Sequence, residues 1–427
     1  MCEMKDSGIE WIGAIPQDWQ LSKIGSLYTQ RNEKVSDKDY QPLSVTMQGI
    51  LPQLATAAKT DDGDNRKLVR AGDFAITSRS DRRGSCGISP LDGSVSLINI
   101  ILTPRTAMHP GYYNWLFHTT LFADEFYKWG HGIVADLWTT RWQEMKSITV
   151  PVPEYAEQER IAAFLDAECA EIDAVLEKTR ASIEEYKKLK QAVITQAVTK
   201  GIRGDRPMKN SGIEWIGDIP AEWRKTQLRH CAAIKSGITL GKKYEKTDSL
   251  VERPYLRVAN VQDGYVDLSV LTTIEVTQDE DLKYRLRAGD VLMTEGGDRD
   301  KLGRGCVWHG EIEPCLHQNH IFAVQTSKDT LLPEFLEYLT VSDVGRSYFD
   351  VTAIKTTNLA CTSSSKVLAF TIPLPSVEEQ AEIVEALNTK CAGIDALVAK
   401  KQQYLTEIEN YKKSLIYEYV TGKKEVV

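Results

Sequence analysis

The sequence predicts an α+β protein built as an internal repeat. Two mixed, β-rich blocks each close on a long helix, and the two helices pair as an antiparallel coiled coil about a pseudo-twofold axis. Three observations predict it. The phrase SGIEWIGAIPQDW at Ser7–Trp19 returns as SGIEWIGDIPAEW at Ser211–Trp223. Apolar residues keep heptad spacing from Leu165 to Ala197 and again from Leu387 to Tyr419. The stretches between are short apolar runs punctuated by Gly, Pro, Asp and Asn, the pattern of strands and turns.

The bulk properties set the frame for this reading. At 427 residues the chain exceeds one ordinary domain. With 42% hydrophobic and 26% charged residues, it has the composition of a globular protein. No apolar run approaches the roughly 18 residues of a membrane span. The stretch Met1–Lys5 lacks the basic and apolar regions of a secretory signal. Eight scattered cysteines, with no C-x-x-C pair, are expected as reduced thiols in a cytoplasmic protein. The formal net charge of −8 argues against a surface coated all over with nucleic acid but leaves room for a local basic groove.

Taken in order, the first block spans residues 1–155. It opens on the repeated phrase and contains strand patterns such as AGDFAITS (Ala71–Ser78) and SLINIILTP (Ser96–Pro104), with one short helical stretch, GYYNWLFHTTLFADEFY. Its helix is expected over 156–200, followed by a linker over 201–208 (GIRGDRPM). The second block spans 209–376 and the second helix 377–422. The repeat extends past the opening phrase. Val150-Pro151-Val152-Pro153 matches Ile372-Pro373-Leu374-Pro375, Glu157-Gln158 matches Glu379-Gln380, and Ile172-Asp173-Ala174 matches Ile394-Asp395-Ala396, each 222 residues later.

The helices carry the plainest signal. Leu165, Cys169, Ile172, Leu176, Thr179, Ile183, Tyr186, Lys190, Val193 and Ala197 alternate steps of four and three, the a/d spacing of a coiled-coil seam. Adding 222 to each gives Leu387, Cys391, Ile394, Val398, Lys401, Leu405, Ile408, Lys412, Leu415 and Tyr419. Acidic residues cluster at each start (Glu157, Glu159; Glu378, Glu379, Glu382), where the helix dipole favours them. Gly201 and Gly422 stand at the stops. Each helix is about 44 residues, or roughly 65 Å. It cannot bury such a seam alone, and the economical partner is its own copy. Polar seam residues (Thr179, Lys190, Lys401, Lys412) are expected to set register. The plainer alternative, one helix in each of two helical domains, does not account for an uninterrupted ten-position seam.

Both blocks place an Arg-loaded, Gly-rich loop after a strand: AGDFAITSRSDRRGSCG (Ala71–Gly87) and AGDVLMTEGGDRDKLGRGC (Ala288–Cys306). Such loops can carry guanidinium and amide groups to phosphates or base edges. The candidate DNA contacts are therefore Arg79, Arg82 and Arg83 in the first block and Arg299, Lys301 and Arg304 in the second. An isolated loop of this kind is more often a solvated hairpin; its recurrence favours binding. Lys242 and Lys243 join the candidates as backbone contacts. Their surroundings, Gly237 to Lys243, imitate a phosphate loop but are one residue short and lack the Ser/Thr after the lysine.

The repeated phrase, the P-x-P…E-Q approach to each helix and the closing Val198-Thr199 and Val420-Thr421 resemble the DNA-specificity subunit of type I restriction–modification enzymes over essentially the whole chain. The resemblance implies two target-recognition domains, each reading one half of an asymmetric bipartite site in double-stranded DNA, and a coiled-coil spacer that sets the gap. It implies DNA methylation subunits (two) and restriction/translocase subunits as partners. It also implies a chain that does no chemistry, with S-adenosylmethionine and ATP on the partners and no cofactor of its own. The tryptophans of the phrase, Trp11, Trp19, Trp215 and Trp223, are expected to anchor the frame rather than stack on bases, because base readers should diverge between copies. A coiled-coil adaptor that links protein partners without reading DNA is the alternative of another class.

No nucleophilic or acid–base constellation is legible, so no catalytic residue is assigned. Cys306, His309, Cys315, His317 and His320 form one metal-like cluster. No comparable histidines lie near the matching Cys86, and no metal is assigned.

Overall fold

A computed structural model describes residues 3–53, 63–132, 138–245, 249–297, 302–303, 305–355 and 360–426. The chain divides into two compact units. The first comprises Met1–Arg180 with Gln402–Val427, and the second Ala181–Lys401. Each unit therefore holds one block with part of both long helices.

In the first unit, β1 (Tyr28–Arg31), β2 (Phe74–Thr77), β3 (Cys86–Ile88) and β4 (Asn99–Pro104) form an antiparallel sheet in the order β3-β2-β4-β1. Helices α1 (Pro110–Phe117) and α2 (Thr120–Lys128) follow, and then α3 (Tyr155–Lys200). The second unit repeats this plan. Strands β5 (Ala232–Ser236), β6 (Val291–Thr294), β7 (Gly305–Val307) and β8 (Ile321–Thr326) stand in the order β7-β6-β8-β5. They are followed by α4 (Pro333–Val341), α5 (Asp343–Thr352) and α6 (Val377–Val420). The registers agree as well: Ile76 lies between Cys86 and Ile100, and Leu292 between Cys306 and Ala323. All four residues of β2 and of β6 are buried, which explains their continuous apolar runs.

The repeated phrase makes the same structure in both units. It is the connection of a short hairpin, Met4–Asp6 with Ala14–Pro16 and Met208–Asn210 with Asp218–Pro220. The N–H of Ser7 donates to the Gly13 carbonyl, and that of Ser211 to Gly217. The Asp6 and Asn210 side chains accept from the N–H groups of Gly8 and Gly212. Gly8, Gly13, Gly212 and Gly217 all adopt φ between 68° and 72°, which a residue with a Cβ adopts only at a cost. The phrase recurs because the loop requires glycine at both ends.

Its tryptophans pack inward. Trp11 meets Phe122 edge-on at 5.9 Å and Trp19 meets Tyr112 at 6.4 Å. Both belong to a core that includes Leu415 and Val420 of α6. Trp223 is fully buried, donates its indole N–H to Glu379 at 2.9 Å and lies under the Arg206 guanidinium. Trp215 is half-buried against Tyr348.

The E-Q repeat has one local bond and one distant bond in each copy. Gln158 donates to the Pro153 carbonyl and accepts from the N–H of His109, which caps α1. Gln380 donates to Pro375 and accepts from Leu332, which caps α4. Each buried glutamine thus ties the start of a long helix to the block before it.

Burial along the long helices follows the heptad. Leu165, Leu176, Ile183 and Leu387 are buried, while Ile172, Ile394, Val398 and Leu405 are half-buried between exposed neighbours. Within the first unit Lys412 pairs with Asp173, Arg180 with Glu409 and Phe164 with Tyr419. Within the second, Lys190 pairs with Asp395 and Lys401 lies over Tyr186. In each unit the partner's number falls as the first rises, so the helix segments run antiparallel.

Candidate nucleic-acid interface

The first Arg-rich loop leaves the buried strand β2 at Ser78. It makes a short 3-10 turn at Ser80–Arg82 and returns through Ser85, whose carbonyl accepts from the Thr77 N–H. The three arginines differ in use. Arg79 lies 3.3 Å from Asp81. Arg83 is held by an ion pair to Asp124 and sits over the Tyr127 ring. Arg82 is exposed and has no side-chain partner among the described residues. The arrangement presents one free guanidinium, one loosely paired and one tethered to α2.

The loop is laced to a segment that sequence reasoning missed, Trp138–Trp142. The Ser80 N–H donates to the Trp138 carbonyl, the Thr140 N–H donates to the Ser78 carbonyl, and Arg79 bridges Thr139. This brings Arg141 and Trp142 beside Arg79. No local pattern announced it, because the segment lies some sixty residues away in the chain and contains a single basic residue.

In the second unit Arg299, Lys301 and Arg304 lie outside the described residues. Lys242 pairs with Glu280 and lies over the Tyr244 ring. Burial raises the Glu280 pKa, but hydrogen bonds from Lys242, Thr277 and Tyr244 outweigh it and hold the carboxyl at about 2. Lys243 is exposed. Gly237 passes so close to the His317 carbonyl that a Cβ would stand 2.2 Å from it. The described part of this loop leads towards the strand Leu250–Leu256, not into a helix, so the imitation of a phosphate loop ends with the spelling.

Several other basic residues are structural. Arg66 is buried and donates to Ser94; Arg31 pairs with buried Asp73; Arg253 and Arg285 share buried Asp281. The cysteine–histidine cluster does not converge. Cys306, Cys315 and His317 are buried, His317 Nδ1 contacts the Ile321 carbonyl, His320 pairs with Glu295 and His309 is exposed. Among the described residues no three potential ligands come together, and no helix is long and apolar enough to cross a membrane.

No protein-family model matches the chain. Among curated proteins it is 23% identical to the type I restriction enzyme EcoKI specificity subunit of Escherichia coli (strain K12), over 96% of this chain and 90% of that one. It is 24% identical to the type I restriction enzyme MjaVIII specificity subunit of Methanocaldococcus jannaschii, over 96% and 94%. The putative type I restriction enzyme MjaX specificity subunit of the same organism matches at 25% identity over 208 residues, 48% of this chain and 47% of the relative. Among solved structures, a chain from a study of complex assembly and conformational transition of the type I R-M system matches with a TM-score of 0.72 at 16% identity, covering 96% of this chain and 99% of that one. The HsdS subunit from Thermoanaerobacter tengcongensis matches with a TM-score of 0.50 at 17% identity, covering 96% and 98%. The likeness spans both copies of the repeat.

Proposed function

We infer that this chain is the sequence-specific DNA-binding subunit of a type I restriction–modification enzyme. The observation that carries the reading is full-length likeness to specificity subunits in a chain whose two units share one sheet plan but differ in their surface loops. A shared frame with unlike loops suits two unlike DNA half-sites. The target-recognition domains are 1–155 and 209–376. The helices 156–200 and 377–422 serve as an antiparallel coiled-coil spacer that sets the gap between the half-sites, with 201–208 as the linker. Two methylation subunits dock on the repeated frame, and restriction/translocase subunits join the assembly. S-adenosylmethionine and ATP belong to those partners, and this chain only selects the site.

Mapping methylated adenines genome-wide, in a host carrying this chain with its methylation subunits, tests the reading. One asymmetric bipartite motif with an unread gap is expected. An adaptor that does not read DNA would yield no motif. Matched removal of one heptad from both helices should change the gap and leave each half-site as it was. An unchanged gap would sink the spacer role.

A further inference from the structure

We propose that a groove beside the Arg79 loop of the first unit is a DNA contact in which Gln30 reads one base edge while Arg79 and Arg141 hold an adjacent phosphate. The proposal deepens the reading above and rests on it. The groove encloses about 360 Å³ and is lined by Gln30, Lys67, Arg79, Asn99, Arg141 and Trp142, among others. Three of these are cationic, and none of the described lining residues is acidic. Half-buried Arg79 lies 3.3 Å from Asp81, and the Glu144 carboxylate is occupied by the Arg141 backbone N–H at 3.0 Å.

Each lining residue has a distinct part. Lys67 donates to the Asn99 carbonyl at 2.7 Å, and burial lowers its pKa; an arriving anion would favour its charged form. The Asn99 amide is already used on the Ser96 carbonyl, which leaves it a structural role. Gln30 stands on β1 opposite Leu102, and its amide has no partner among the described residues. A glutamine amide matches the N6 and N7 groups of adenine with two hydrogen bonds. Arginine forks suit phosphate oxygens. Leu97 and Trp138, 38% and 40% exposed, leave large apolar surface near this cationic groove, where sugars and thymine methyl groups offer partners.

The second unit supplies an independent argument. The same lacing recurs there: the Thr362 N–H donates to the Glu295 carbonyl, and Gly296 pairs with Cys361. Thr362 and Cys361 stand 222 residues after Thr140 and Thr139. The places of Ser78 and Arg79 are taken by Glu295 and Gly296, and the Glu295 carboxylate pairs with His320. One scaffold therefore carries a guanidinium in one unit where the other has a glycine, and a serine in the first where the other has a carboxylate paired with an imidazole. Readers of different sequences require such a difference; a point that served only the fold would not.

The test uses the full chain with its methylation subunits, carrying Gln30→Ala, Gln30→Met or Arg141→Ala. Methylation mapping of either Gln30 variant should show relaxed preference at one position of one half-site, by about ten- to a hundredfold, with the other half-site intact. Arg141→Ala should weaken binding to every duplex alike and lower the slope of log affinity against log salt by about one. Thermal unfolding of each variant guards against misfolding. If the unmodified protein methylates a bipartite motif and these variants keep its motif and affinity, the groove proposal is overturned. If the unmodified protein has no motif, the family reading fails instead.

Discussion

Lys190 donates to both carboxylate oxygens of Asp395, at 2.8 and 2.7 Å, and Lys412 does the same to Asp173, at 2.6 and 2.7 Å. The two lysines stand 222 residues apart, as do the two aspartates, so each pair joins opposite copies of the repeat. In each unit a lysine in the seam reaches a carboxylate that flanks the opposite seam. A slip by one heptad would part both pairs at once and strand a partly covered ammonium, so the pairs select register more than they stabilise. Partly exposed pairs contribute less than about 1 kcal/mol each. Lys190→Asp should therefore lower the thermal midpoint slightly, and Asp395→Lys in the same chain should restore it. A double-mutant cycle with no coupling would contradict this pairing.

Gln158 and Gln380 are buried, and each bonds its helix start to the block before it. Changing either to Leu leaves a buried N–H and carbonyl without a partner. The cost should be about 1–3 kcal/mol at each site by urea denaturation. Because the two sites lie in different units and share no partner, the double variant should show nearly the sum.

Arg206 binds a knot in the second unit. It bonds Glu379, Glu222 and the Lys200 carbonyl, and it is 11% exposed where Glu379 is 6%. Removing one member of a buried pair strands the other. Arg206→Ala should cost about 3–5 kcal/mol. Gly201 has φ 74°, and a Cβ there would collide with the same guanidinium. Gly201→Ala should therefore be destabilising as well, in contrast to the exposed and unencumbered Gly393→Ala in α6.

Half-buried Glu337 and buried His317 in the second unit give stability opposite pH dependences. Burial, reinforced by nearby Glu334 and Asp263, pushes the Glu337 carboxyl up to about 7. The folded state then holds its proton longer than the unfolded chain, and stability falls as pH rises from about 4.5 through 7. Burial pushes the His317 imidazole down to about 4. Its contribution is complete above about 6.5 and is lost as pH falls through 4. Glu337→Gln should stabilise the protein at pH 8, by up to about 3 kcal/mol, and change little at pH 4. His317→Gln should flatten the acid limb. Thermal melts across pH 4 to 8 would check both signs.

Arg82 and Arg83 are neighbours with different fates. Arg82→Ala should weaken DNA binding and lower its salt dependence while leaving the melting temperature unchanged. Arg83→Ala removes the tie to Asp124 and Tyr127, so its loss of binding should come with a lower melting temperature. Equal behaviour of the two variants would refute the division of roles.

Most of the architecture is legible in the sequence because its causes are local. Left-handed glycines at both ends of the phrase, a seam stepping by four and three, and a glutamine five residues after the proline whose carbonyl it bonds all leave fixed spacings, and duplication prints each spacing twice. The candidate site is less legible. The Arg loop is visible as composition, but the tether of Arg83, the capture of Lys242 by Glu280 and the approach of Arg141 to Arg79 depend on partners tens of residues away.

Sequence alone determined that this chain is one plan used twice, with a helical seam closing each copy, since periodicity and backbone conformation are properties of neighbours along the chain. Only the tertiary structure decided which cations are free, which carboxylates hold the others, and that Trp138–Trp142 lies against the Arg79 loop. Charge pairing acts over a few ångströms in space, and the linear order of residues does not record that distance.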